Sequence, residues 1–225
     1  MYSYPLIFSF SPFAVSPKIE VRDSSSRVVF TAAKKLLSSK DEIELVSNSQ
    51  PLFKIMSQEN RITDIPSNWD ITAPDGNILG VVDDDYMTAQ DGMKFGNNQP
   101  LNDFLQMQAH RALGLRSVKM YWLKNNSGKQ VGFIAPDLRS LAIEQLPLYQ
   151  LTRKLTFSNR FITPNYAVQL DGKLVMKLRK MRTFLVDKYV LEASDSFSNE
   201  NEKLLLPSVV LTIVYERQRL KDLYE

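Results

Sequence analysis

The sequence predicts a mostly β fold: about twelve antiparallel strands in a single domain spanning residues 1–225. Three observations lead there. Five times the chain runs through an apolar or alternating stretch, a short polar turn and a second such stretch. The turns carry dipeptides that accept positive φ, namely Asp75-Gly76, Ser127-Gly128 and Asp171-Gly172. The flanks are rich in Val, Ile, Phe, Tyr and Trp, which suit a pleated, half-buried surface. So many antiparallel strands either close into a barrel or split into a sandwich, because an open edge invites pairing with other chains.

The elements follow in chain order. In the opening "MYSYPLIFSFSPFAV", Leu6, Phe8 and Phe10 alternate with Ile7, Ser9 and Ser11, as in a first strand. This stretch has no basic leader, and Pro5 and Pro12 interrupt it, so a strand fits better than a signal peptide. The five hairpins are "IEVRDSSSRVVFTA", "ELVSNSQPLFKI", "WDITAPDGNILGVV", "YWLKNNSGKQVGFIA" and "YAVQLDGKLVMKL". "KYVLEA" supplies a twelfth strand. Between the third and fourth hairpins, Leu101, Phe104, Leu105, Gln108 and Ala112 recur at helical spacing before Gly114, which predicts a helical insertion near 100–115. "PDLRSLAIEQLPLYQLTRKL" reads either way, with a short helix ending near Pro147 as one solution.

The apolar run Leu204–Tyr215 is about 18 Å long as a helix. A bilayer core is about 30 Å thick, so the run is too short to span it. β-branched residues in "SVVLTIVY" favour a strand. The lack of alternation requires burial on every side, which suits an enclosed helix equally. A barrel of about twelve strands is too wide for side chains alone to fill, and a helix along its axis would occupy the space.

Composition narrows the functional classes. A net charge of +3 is mild, and charge alone does not suggest nucleic-acid binding. Cysteine is absent, which removes disulfides, thiolate metal sites and cysteine nucleophiles and fits a reducing compartment. The single histidine, His110, cannot assemble a usual zinc site, and no P-loop, G-x-G-x-x-G or G-x-S-x-G occurs. No catalytic residue and no cofactor is expected. The acidic run Asp83-Asp84-Asp85, with Asp91 nearby, is a weak candidate for a hard cation, and a solvated strand end is the plainer reading.

"KLVMKLRKMR" carries the strongest functional signal. Read as a strand, it projects Lys173, Lys177 and Arg179 from one face, with Val175 interrupting, and sends Met176 and Leu178 inward. Lys180 and Arg182 follow at the strand end, and Arg153 and Lys154 are potential neighbours. These basic residues are candidate ligands for anionic lipid head groups. The plainer reading is that outward strand positions are commonly basic and thereby discourage edge pairing.

The order "VRDSSSRVVFTAAKKLLSSKDEIELVSNSQPLFKI…WDITAPDGNILGVV" resembles the first half of the LURP-one-related family. "YAVQLDGKLVMKLRKMRTFLVDKYVLEASDSF…LLLPSVVLTIVYER" is similar to its second half and, more distantly, to phospholipid scramblases; both belong to the tubby-like group. The resemblance covers nearly the whole chain except the insertion. It implies a roughly twelve-stranded closed barrel around a central hydrophobic C-terminal helix, and so a core helix for Leu204–Tyr215. It further implies phosphoinositide recognition by basic residues on the barrel surface, where Lys177 and Arg179 reproduce a K-x-R spacing. Asp195 and Phe197 resemble part of the scramblases' calcium-binding segment, but Ala193 replaces an expected acid, and lipid-anchoring cysteine clusters have no counterpart.

The functional expectation is a non-catalytic, cytoplasmic binding module, peripheral at a membrane. It docks on anionic phospholipid or on a protein partner, the latter through helix 101–113. The alternatives are a scramblase-like lipid transporter and a protein–protein scaffold.

Overall fold

The computed structural model describes residues 2–11, 16–35, 38–59, 67–88, 117–137, 140, 165–181, 183 and 186–222. Twelve antiparallel strands close into a barrel in which sequence neighbours are spatial neighbours and the first strand pairs with the last. The strands are β1 (Leu6–Phe10), β2 (Lys18–Arg22), β3 (Val28–Lys35), β4 (Glu42–Ser47), β5 (Gln50–Ser57) and β6 (Asn68–Thr72). They continue with β7 (Ile78–Thr88), β8 (Ser117–Asn125), β9 (Gln130–Pro136), β10 (Tyr166–Leu170), β11 (Lys173–Met181) and β12 (Lys188–Ala193). All five hairpins expected from the sequence are present, as are the opening strand and "KYVLEA". Closure through Phe8↔Tyr189 and Ile7↔Val190 leaves no edge to protect. The expected insertion helix at 101–113, His110, Asp91, Arg153, Lys154 and Arg182 lie outside the described residues.

The hairpin turns use two devices. Around Asp23–Arg27, Ala73–Asn77 and Asn125–Lys129, the first residue's N–H bonds the fifth residue's carbonyl, and the fourth residue's N–H bonds the first residue's carbonyl. Ser26, Gly76 and Gly128 then sit at φ 62°, 87° and 76°. This is a type I turn closed by a left-handed residue, and each such hairpin carries a register shift beside the turn. Asn48-Ser49 and Asp171-Gly172 instead place both residues at positive φ, as two-residue type I′ loops do. The dipeptide Asp-Gly thus serves two turn geometries: Gly76 alone is left-handed in one, and both residues are in the other.

The C-terminal run is a helix, α1 (Asn199–Asp222), and at 24 residues it extends beyond the apolar stretch at both ends. Ser198 caps it, its Oγ accepting the N–H of Asn201 at 3.1 Å, and Glu200 and Glu202 place negative charge on the positive end of the helix dipole. All residues from Leu204 to Val214 are buried, on every side of the helix. Inside the barrel they meet the inward positions of the wall, including Phe8, Ile19, Val21, Phe30, Leu45, Ile71, Leu123 and Leu178. The two hydroxyls in this apolar interior bond back along the helix, Ser208 to the Leu204 carbonyl at 2.7 Å and Thr212 to the Ser208 carbonyl at 2.9 Å. At one close approach of wall and helix the chain uses Gly80: a Cβ there would lie 2.7 Å from Leu204 Cδ1 and 2.3 Å from the Lys124 carbonyl.

Candidate functional site

The predicted basic strip lies on β11, and the register of that strand decides which of its cations face outward. From Met176 onward alternation is regular: Met176, Leu178 and Lys180 point in, and Lys177, Arg179 and Met181 point out. Between Val168 and Gln169 of β10 the pairing with β11 slips by one residue, and Val175 is the extra residue. Val175 is therefore buried beside Met176, and the phase upstream is reversed. Lys173 pairs with the core residue Leu170 and falls in the inward-facing register at the barrel rim, where it is exposed. The expectation that Lys173, Lys177 and Arg179 share one face is corrected by this bulge.

Lys180 separates from the strip at the other end. It pairs with Tyr189, a core residue, and its side chain is only 9% exposed. Its ammonium bonds Asp187 at 2.8 Å and lies 5.7 Å from the Tyr189 ring centroid. Arg217 of α1 reaches the same carboxylate at 3.2 Å and stacks 4.2 Å from the Phe10 ring centroid. Burial of Asp187 works to raise its pKa. The hydrogen bond and charge of Lys180, joined by Arg217, outweigh that and hold the carboxyl below its ordinary value. Lys180 thus ties the helix exit to the wall, a structural use of a residue predicted to meet ligand.

What remains on the outer wall is compact. Lys177 and Arg179 are exposed, and Arg179 bonds Glu192 on β12. Lys188 is on the same outer face, opposite Met181, a methionine 40% exposed. Three cations and one carboxylate leave this face with a positive excess around an exposed apolar side chain. Lys188 and Met181 escaped the sequence reading. The signal was present, since both continue the outward alternation from Lys177 and Arg179 onto the paired strand.

Among the described residues the weak metal candidates do not converge. Alternation on β7 sends Asp83 outward, where it pairs with Lys124 of β8, while Asp84 faces Tyr121 on the inner side of the wall. Adjacent strand residues point to opposite faces, so consecutive carboxylates cannot chelate one ion together. Asp85 lies on β7, with its side chain outside those described. Asp195 is exposed in the link to α1 and accepts the Ser196 N–H at 2.7 Å. Among the described residues no group of three or more His, Cys, Asp or Glu could hold a metal.

Polar groups instead gather where α1 leaves the barrel. Lys34 and Asp41, both nearly buried, pair at 3.1 Å, and Tyr215 donates its hydroxyl to the same carboxylate. Trp69 Nε1 donates to Tyr215 at 3.3 Å, and Tyr121 donates to Glu216 at 3.1 Å. At the opposite mouth Glu202 accepts the Tyr2 N–H and the Tyr4 hydroxyl, drawing the N-terminal segment over the start of α1. Both clusters hold the helix in its wall. Among the described residues no helix is long and apolar enough to cross a membrane.

Compared with known proteins, the chain matches no family model and no curated protein sequence.

Proposed function

We propose that this protein is a non-catalytic binding module that docks, through the outer face of β11 and β12, on the anionic head groups of a membrane surface. The observation carrying this reading is the outward row Lys177, Arg179 and Met181 beside Lys188, which sets exposed cations around an exposed apolar side chain. Basic residues near an anionic leaflet contribute about 1 kcal/mol each, and a methionine adds an apolar contact that a phosphate-only site would not need. The resemblance to the tubby-like group supports the same use of this wall. A buried helix capped at both mouths by polar clusters favours surface docking over a scramblase that must open its barrel to lipid.

The test is flotation with vesicles of phosphatidylcholine alone or with added phosphatidylinositol phosphates. Binding is expected only to the anionic vesicles and is expected to weaken as salt is raised. Replacing Lys177→Glu and Arg179→Glu together removes at least 2 kcal/mol by the per-residue figure, or about 30-fold in affinity. Anionic-vesicle binding unchanged in the double variant would sink the site. An acidic surface on a partner protein is the competing occupant. Co-purification of such a partner, lost in the same variant, with no vesicle binding, would select it.

A further inference from the structure

The outer face of β8, β9 and β10 departs from the rest of the wall. Tyr121 and Leu123, Ile134, and Tyr166 and Val168 belong to the core inside the barrel. Their neighbours Met120, Trp122, Phe133, Ala135 and Ala167 therefore face outward, and none of them belongs to that core. They are nevertheless buried, Met120 and Ala135 completely. Outward apolar residues elsewhere, such as Ile7, Ala33, Val46 and Val190, stay partly exposed. The buried set is continuous: Trp122 pairs with Phe133, ring centroids 5.7 Å apart, and Ala135 pairs with Ala167. It is three strands wide and bounded by charge, with Asp83 opposite Trp122 on β7 and Lys177 opposite Ala167 on β11. Every described element is either a strand of the wall or the helix inside it. A sheet face of this kind is buried by a second layer laid against it.

We infer that this outer apolar face is the docking seat of the chain's own segment 101–113. The connection that carries the segment leaves β7 at Thr88 and enters β8 at Ser117, and these two residues pair across the strands. Both ends of the connection thus stand at the mouth beside the strand that presents Met120 and Trp122. The segment's Leu101, Phe104, Leu105, Gln108 and Ala112 recur at helical spacing, with Asp103, Gln106 and His110 on the opposite side. As a helix it measures about 20 Å, enough to cross three strands, roughly 10 Å. The other connection at this mouth, residues 138–164, has no such stripe and is broken by Pro147 and Pro164. The seat thus engages the apolar stripe within the chain, and a partner protein would meet Asp103, Gln106 and His110 instead. The inference does not rest on membrane docking, although the seat ends at Ala167, beside Lys177.

The experiment uses the full chain labelled with fluorotryptophan, whose two tryptophans, Trp69 and Trp122, give two ¹⁹F resonances. A soluble paramagnetic probe reports the exposure of each. Phe104→Asp with Leu105→Asp is expected to raise the probe's effect on Trp122 severalfold and to leave Trp69, which is inside the barrel, unchanged. Trp122 still shielded in this variant overturns the inference. Leu141→Asp with Leu146→Asp, in the other connection, is expected to leave Trp122 shielded; exposure by this pair alone makes residues 138–164 the occupant. A second measurement keeps the apolar stripe intact: Phe104 is replaced by the photoreactive analogue p-benzoylphenylalanine, and its cross-links are mapped by mass spectrometry. Cross-links within one chain to peptides of β8, β9 or β10 are expected, and they decide the case if both aspartate pairs expose Trp122. Cross-links confined to other strands, or none, overturn the inference. A product of twice the chain mass makes a second copy the occupant and overturns it as well.

Discussion

Gly132 shows how tightly single positions are constrained in this wall. A Cβ there would lie 2.0 Å from the Gln169 carbonyl oxygen and 2.9 Å from Leu170 Cδ2, and the first of these is backbone that cannot step aside. Gly132→Ala is therefore expected to lower stability by on the order of 3 kcal/mol, read as a fall in the urea midpoint. Gly76→Ala meets open space but must hold φ near 87°. Its cost is set by the backbone alone, about 1 kcal/mol. A smaller loss at Gly132 than at Gly76 would contradict the close-approach argument. Asp187 is constrained by charge instead. Its folded pKa is depressed, so its stabilisation is complete above the unfolded value of about 3.9 and is lost as pH falls through the lower folded one. The wild-type protein should lose stability as pH drops below about 4, and Asp187→Asn should lack that part of the slope. Parallel profiles for the two proteins between pH 5 and pH 2 would show that the Lys180–Asp187–Arg217 cluster does not carry this dependence.

At the scale of elements, α1 is the only described helix inside a wall of twelve strands, and its stabilisation comes from enclosure. Its middle is β-branched and poor in helix propensity, while Pro207 has no N–H to give the Lys203 carbonyl. Burial of each Leu or Val is worth about 1.5–3 kcal/mol, which outweighs propensity differences of under about 1 kcal/mol per residue. Leu211→Ala should cost about 2–5 kcal/mol. Removal of residues 199–222 should abolish cooperative unfolding by circular dichroism. A truncated chain that still melts in one sharp transition would show that the wall closes without its helix. The strand pairs were readable because each turn carries its own chemistry over a few residues. The bulge at Val175 was not readable, since "KLVMKL" alternates acceptably in either phase and only the pairing of β10 with β11 selects one. For that reason Lys173 was grouped with Lys177 and Arg179 in the sequence and stands apart from them in the fold.

At the scale of the whole molecule, pairing of β1 with β12 removes both edges, so partners must be recognised by side chains on the outer wall or at the mouths. The tight turns lie at one mouth. The strand ends joined by the longer connections lie at the other, where α1 emerges among Lys34, Asp41, Tyr215 and Arg217. The proposed membrane face lies on the wall between these mouths. Raising salt from 0.05 to 0.5 M shortens the screening length from above to well below 10 Å, and vesicle binding should fall severalfold or more. Binding indifferent to salt would mean that the apolar contacts, Met181 among them, dominate.

Residues 1–225 by themselves determined the count and order of strands, the positions of the turns and the existence of one segment that must be buried on all sides. Those are local properties: positive-φ residues at fixed places, period-two alternation, and an apolar run without a polar face. Only the tertiary structure decided which cations reach solvent, because facing depends on cross-strand register. Lys180 and Lys177 are chemically equivalent three residues apart, yet one is held inside by Asp187 and the other is exposed on the surface.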